Sequence, residues 1–269
     1  MSGDLVFLGA GNMAEALLQG VLHNARWPRE RLVVTDIVAE RREKLAHQFG
    51  VRALADNAAA VRGAALVVLA VKPQVLLGVL AGIRAALPAE ALVLSIAAGV
   101  PTGRIEAALS GAARVVRAMP NTPALVGCGA AAICAGRQAT ADDLAAAERL
   151  LGAAGLVVRV AEKDMDAVTA LSGSGPAYVF YLMEAMLEAA RRMELPAAVA
   201  QPLVYATIKG AAELIQQQGL PPQELRRRVT SPGGTTAAAM DVQDRRQVMA
   251  ALVEAMLAAH RRAGELARG

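Results

Sequence analysis

Asp4-Leu5-Val6-Phe7-Leu8-Gly9-Ala10-Gly11-Asn12-Met13-Ala14 decides the fold. An apolar run ends at a glycine and passes directly into a segment of helical period that continues to Asn24. Gly9, Gly11 and Ala14 fit the G-x-G-x-x-G/A fingerprint. The first glycine permits a tight turn, the second lets a pyrophosphate approach the backbone, and the third small residue lets helix and strand pack closely. Asn12 and Met13 open the helix, whose free N–H groups and positive dipole end suit an anion. Glycine pairs are common in chains rich in Gly and Ala, so context gives the match its weight. It follows the first strand and opens a helix, and Asp36 closes the next apolar run at the spacing of about 20 residues expected of a ribose-binding acid. The sequence therefore predicts a dinucleotide site built from Gly9, Ala10, Gly11, Asn12, Met13, Ala14 and Asp36.

The pattern outward from this unit repeats. Leu32–Thr35, Val51–Leu54, Leu66–Val71, Leu92–Ala97, Arg114–Arg117, Gly129–Ala135 and Leu156–Val160 read as strands. Helical stretches fall at Ala39–Phe49, from Asn57, from Lys72-Pro73, at Gly103–Leu109 and at Ala141–Ala153. Leu66–Val71 is apolar without alternation, as in a parallel strand buried on both faces. Strands alternating with helices at this spacing imply βαβ units and a mostly parallel sheet. Past Glu162–Asp164 no strand is predicted, only helices over Ala177–Met193, Ala197–Gln217, Pro222–Arg228 and Thr236 to the end, punctuated by Pro196 and Gly219. The expectation is an α/β Rossmann dinucleotide-binding domain over 1–163 and an all-helical domain over 164–269.

Composition narrows the function. The hydrophobic fraction is 55% of 269 residues. The longest uncharged run, Ala118 to Gly136, is interrupted by Pro120, Asn121 and Pro123, so it reads as loop and strand and not as a span of the about 20 apolar residues a membrane helix needs. No basic flank or cleavable pattern opens the chain, which makes the cytoplasm the expected compartment. The excess of Ala, Leu and Val on helical segments points to a large core or to surface buried in a second copy, because a large exposed apolar patch is rare on a monomer. Net charge is +4 and aromatics are 3%, too few for the stacking platforms of nucleic-acid binders. Cys128 and Cys134 lack the paired short spacings of a zinc site, and His23, His47 and His260 stand without partners, so no metal is expected. Both cysteines read as buried small hydrophobes.

Other segments carry candidate chemistry. Ala70-Val71-Lys72-Pro73 and Ser95-Ile96-Ala97-Ala98-Gly99 end buried strands, on the sheet edge where open α/β folds bind ligands. Ala70, Val71, Lys72, Pro73, Ala97 and Gly99 are thus candidates for the nicotinamide half, with Lys72 reading equally as a solvated strand-end charge. Asp36 would bond the adenosine ribose and repel a 2′-phosphate, favouring NADH. Arg41 and Arg42 either clasp that phosphate, favouring NADPH, or are solvated helix residues. Ser231-Pro232-Gly233-Gly234-Thr235-Thr236 brings backbone N–H groups toward an anion at a helix start, although Thr235 or Thr236 also reads as a plain helix cap. Ser172-Gly173-Ser174-Gly175-Pro176 reads as a loop with an N-cap and a proline in the first turn.

These segments, with Phe7–Ala14, Ala70–Gln74, Ser95–Val100, Arg117-Ala118-Met119-Pro120-Asn121-Thr122-Pro123 and Leu171–Tyr178, occur in the order in which they stand in Δ1-pyrroline-5-carboxylate reductases, and the chain resembles that family almost end to end. The Met-Pro-Asn-Thr-Pro, Ser-Gly-Ser-Gly-Pro-Ala-Tyr and Ser-Pro-Gly-Gly-Thr-Thr stretches are the specific ones. The resemblance implies NAD(P)H-dependent reduction of a cyclic imino acid to L-proline, and C-terminal helices that interlock in a homodimer able to build larger rings. It implies carboxylate contacts from Gly233, Gly234 and Thr235, with Ser174, Gly175 and Asn121 at the substrate pocket. It also implies candidate catalytic hydroxyls on Thr236, near the imine nitrogen, and Ser231. The chain departs from the family twice. The resemblance leans to NADPH, but Asp36-Ile37 replaces the small polar residue followed by Arg that suits it, and Gly219-Leu220-Pro221 lacks an acid often found before that proline. Other expectations are a reductase of a different cyclic imine or a small 2-hydroxy acid, which lacks support from any Lys or His over Asp166–Met183, and a non-catalytic dinucleotide sensor.

Overall fold

The computed structural model describes residues 3–23 and 27–268. Asn24, where the first helix was expected to end, lies outside them. Among the described residues eight strands form one sheet: β1 (Asp4–Leu8), β2 (Leu32–Thr35), β3 (Arg52–Leu54), β4 (Ala64–Leu69), β5 (Leu92–Ser95), β6 (Arg114–Met119), β7 (Gly129–Ala135) and β8 (Gly155–Arg159). Their order is β3-β2-β1-β4-β5-β6-β7-β8. All neighbours are parallel except β6 and β7, which run antiparallel. That exception follows from the connection: a short 3₁₀ turn, Thr122–Val126, returns the chain without a crossover helix.

Alternation along the strands builds two cores. Leu5, Phe7, Leu32, Val34, Leu66, Val68, Leu92 and Leu94 face α1 (Asn12–His23) and α6 (Ala141–Leu151). Val6, Leu8, Val33, Val67, Leu69 and Val93 face α3 (Asn57–Val61), α4 (Pro73–Ile83) and α5 (Thr102–Ala108). α2 (Ala39–Phe49) adds Leu45 and Phe49 to the first of these. Each such side chain fully buried is worth roughly 1.5–3 kcal/mol, and both faces are covered, as a parallel sheet requires. The helices have legible starts. The Thr140 hydroxyl and Asp143 carboxylate form a reciprocal capping box on α6, and Pro73 occupies the first turn of α4.

Beyond β8 the described chain is helical: α7 (Met165–Val168), a π-helical turn (Thr169–Gly173), α8 (Gly175–Arg192), α9 (Ala197–Gln218), α10 (Pro222–Arg228), α11 (Thr235–Arg245) and α12 (Val248–Arg268). Two expectations need correction. The stretch read as a loop from Ser172 begins inside the π-helical turn Thr169–Gly173, where the Ser172 hydroxyl donates to the Val168 carbonyl at 3.1 Å. The final helix is two helices, broken at Gln247, whose φ of 52° is left-handed. Packing divides the chain into two compact units. One runs through Pro176 and includes Ala259–Gly269; the other is Ala177–Ala258.

Candidate active site

The C-terminal edge of β2-β1-β4-β5 gathers the candidates for dinucleotide binding. Gly9 has φ of 107°, and a side chain there would begin 2.5 Å from the Ala70 carbonyl oxygen, so only glycine fits between β1 and β4. Its N–H donates to the Thr35 carbonyl at 2.9 Å, and the Ala70 N–H donates to the Leu8 carbonyl at 2.8 Å. Around Gly11 the opposite holds: no described protein atom lies within 4 Å of where its side chain would begin. Glycine there leaves an open approach to the start of α1, the space a pyrophosphate needs. Ala14 is fully buried in the core between helix and sheet. Asn12 is exposed and Met13 half-buried at the helix start.

Asp36 locks this loop. Its Oδ2 accepts the Ala10 N–H and its Oδ1 accepts the Val38 N–H, both at 2.9 Å. Each carboxylate oxygen keeps a further lone pair for a ribose hydroxyl. Arg42 Nη1 donates to the Asp36 carbonyl at 3.0 Å, while Ile37 beside it is 94% exposed. Asn57, which the sequence reading passed over, stands at the same end: its Oδ1 accepts from the Thr35 hydroxyl at 2.5 Å. The adjacent Asp56 caps α3 through the Ala58 N–H, and an Asp-Asn pair before a helical run was the available signal. Further along the edge, exposed Lys72 is the N-cap of α4, and the Ser95 hydroxyl accepts the Ala97 N–H at 3.4 Å.

Asn121 spends both ends of its carboxamide on backbone. Oδ1 accepts the Ala130 N–H at 2.8 Å, and Nδ2 donates to the Ser172 carbonyl at 3.0 Å. It thereby ties the loop after β6 to the π turn that leads into Ser174 and Gly175. A buried arginine adds a second tie. Arg117 on β6 lies 3.5 Å from Glu162 and 3.9 Å from Asp166. Glu162 in turn accepts from the Thr102 N–H and hydroxyl, each at 2.6 Å, at the start of α5. An arginine inside an apolar strand was the visible hint; its carboxylates, 45 or more residues away, were not.

The helical unit contains Ser231 and Gly233–Thr236. The Gly234 N–H closes a turn onto the Ser231 carbonyl at 3.0 Å, with Gly233 at φ of 70°. A side chain on Gly234 would begin 2.6 Å from Ser231 Oγ. The N-cap of α11 is Gly234 and carries no side-chain cap, so Thr235 and Thr236 begin the helix and do not cap it. The first-turn amides of α11 thus have no side-chain cap from Gly234, and such helix starts suit an anion. Of the two cysteines, Cys134 is buried on β7 and its thiol is pushed up to about 11, first by burial and then by Glu162. Cys128 is exposed, contrary to the sequence expectation, because it sits in the loop after the 3₁₀ turn and not on the strand.

Comparison with known proteins decides the family. Residues 162–266 match the family described as pyrroline-5-carboxylate reductase dimerisation, and residues 4–99 match that of NADP oxidoreductase, coenzyme F420-dependent. A pyrroline-5-carboxylate reductase of Synechocystis is 42% identical over 268 residues, all of both chains. The chain belongs to the pyrroline-5-carboxylate reductase family. It is an oxidoreductase of proline biosynthesis, with an NAD(P)-binding domain followed by a helical dimerisation domain. The solved pyrroline-5-carboxylate reductase of Coxiella burnetii superposes with a TM-score of 0.90 at 37% identity over 99% of each chain. That of Plasmodium falciparum, solved with NADP bound, gives 0.90 at 29% identity over 98% of each. Among the described residues no helix is long and apolar enough to cross a membrane.

Proposed function

We propose that this reductase converts 1-pyrroline-5-carboxylate to L-proline with NADH as its preferred hydride donor. The observation that carries the preference is Asp36, whose carboxylate, fixed on the Ala10 amide, puts negative charge at the adenosine end of the site. A ribose 2′-hydroxyl donates to it, whereas a 2′-phosphate is repelled. Arg42, which would otherwise answer that phosphate, donates to the Asp36 main chain.

A reduced nicotinamide supplies the hydride. The chain's own task is binding, alignment and protection from water. Gly9–Ala14 hold the pyrophosphate, Asp36 and Asn57 the adenosine ribose, and Ala70–Pro73 with Ala97–Gly99 flank the nicotinamide end. Amides of Gly233 and Thr235 grip the substrate carboxylate, helped by the start of α11, while Gly234, whose own N–H closes the turn onto Ser231, holds that backbone in shape. The Thr236 hydroxyl hydrogen-bonds the imine nitrogen, Ser231 steadies the turn, and Ser174 and Gly175 wall the pocket. Asn121 acts by holding Ser172 in place.

Two copies assemble through the C-terminal helices, and larger assemblies build on that dimer. Support comes from Phe180, Tyr181, Leu203, Tyr205, Val253 and Leu257, all at least half exposed in the single chain. The reaction belongs to the cytoplasm. Steady-state rates with each reduced dinucleotide test the reading: kcat/KM favours NADH by about tenfold, one charged contact's worth of discrimination. A large preference for NADPH overturns the cofactor assignment.

A further inference from the structure

We infer that the last turn of α12 is a positioning element for the nicotinamide end of the site. The inference rests on the reading that Ala97–Gly99 flank that end. From Ala259 onward α12 belongs to the same compact unit as the sheet. There Ala263 is buried, and Leu266 lies over Gly99. A side chain on Gly99 would begin 3.2 Å from Leu266 Cβ and 3.5 Å from its carbonyl carbon. Gly99 also has φ of 71°, a backbone that favours glycine, and Leu266 leaves little room for a side chain.

The loop from Ile96 to Pro101 is held at both ends. At one, the Ile96 N–H donates to the Leu69 carbonyl at 3.2 Å. At the other, Glu162 fixes Thr102. Leu266, itself half exposed, lies against the middle of the loop at Gly99. The turn itself is closely seated: a side chain on Gly264 would begin 3.5 Å from Asp166 Oδ2 and 3.7 Å from Arg268 Nη1. The chain end thus bears on the backbone that flanks the hydride-donating ring, where a shift of about an ångström costs on the order of 100-fold in rate.

The test uses the full-length enzyme, a form lacking residues 265–269, and two point variants. Gly264→Trp drives a bulky ring into the space between Asp166 and Arg268 and lifts the turn, whereas Gly264→Ala keeps it seated. Affinities are measured for NADH and for ADP-ribose, which lacks the nicotinamide (NADPH and its 2′-phosphorylated fragment replace them if they bind more tightly). Truncation and Gly264→Trp should each weaken NADH about fivefold with ADP-ribose unchanged, and Gly264→Ala should match the parent, because the loosened loop touches one half of the ligand. Unchanged NADH binding overturns the inference. So does equal weakening of both ligands, which makes the turn a general brace. An unmodified chain that binds neither dinucleotide overturns the functional reading and this inference with it.

Discussion

The Ala10 amide donates to Asp36 Oδ2 at 2.9 Å, joining the glycine loop to the end of β2. One carboxylate therefore shapes the pyrophosphate loop and sets the charge that the adenosine ribose meets. A hydrogen bond to a charged group is worth about 1.5–3 kcal/mol. Asp36→Ala should raise the KM for NADH about tenfold or more and narrow the gap to NADPH. Steady-state kinetics with both cofactors measures this; an unchanged NADH-to-NADPH ratio separates Asp36 from cofactor choice.

Asn121 serves two backbone groups, on β7 and in the π turn. Asn121→Ala leaves a donor and an acceptor without partners, each costing about 1–3 kcal/mol where burial is complete and less here. Thermal unfolding should show a lower Tm, and Asn121→Asp, which keeps the acceptor for Ala130, a smaller loss. The substrate KM should follow the same order, since Ser174 moves with Ser172.

The cysteines differ in reach. At pH 8 iodoacetamide should label exposed Cys128 and spare buried Cys134, as peptide mass mapping will read. The Cys134 thiol is held up at about 11 against an ordinary 9.0. Between those values the unfolded chain ionises this thiol and the folded chain does not. Its contribution to stability is therefore intact below pH 9 and is lost as pH climbs toward 11. Replacing Cys134 by Ala should flatten that alkaline decline in denaturant titrations.

Thr236 stands in the first turn of α11 without capping it. Thr236→Ala should lower kcat by about 10–100-fold while leaving dinucleotide affinity within twofold, and Thr236→Ser should restore most of the rate. Equal losses in both quantities reassign the residue to structure.

The legible part of this molecule was its local part. Gly9–Ala14, Asp36 and the strand–helix alternation are patterns a few residues long, and the sheet forms where they indicate. The antiparallel β7 was hidden because strand direction depends on a connection, not on the strand's own residues. The helix break at Gln247 carries no Gly or Pro to announce it, and its left-handed φ of 52° falls on a glutamine. The π turn at Thr169–Gly173 reads locally as a Ser/Gly loop. Arg117 with Glu162 and Asp166, and Leu266 over Gly99, join residues far apart in sequence, where spacing holds no signal.

The account stands most directly on where substrate and hydride donor meet. A crystal structure of the full assembly with NAD(H) and L-proline should show the proline carboxylate on the Gly233 and Thr235 amides. It should also set the former imine carbon about 3–3.5 Å from the nicotinamide C4, the separation hydride transfer needs. A proline carboxylate bound elsewhere, with the Ser231–Thr236 turn remote from every nicotinamide in the assembly, contradicts it.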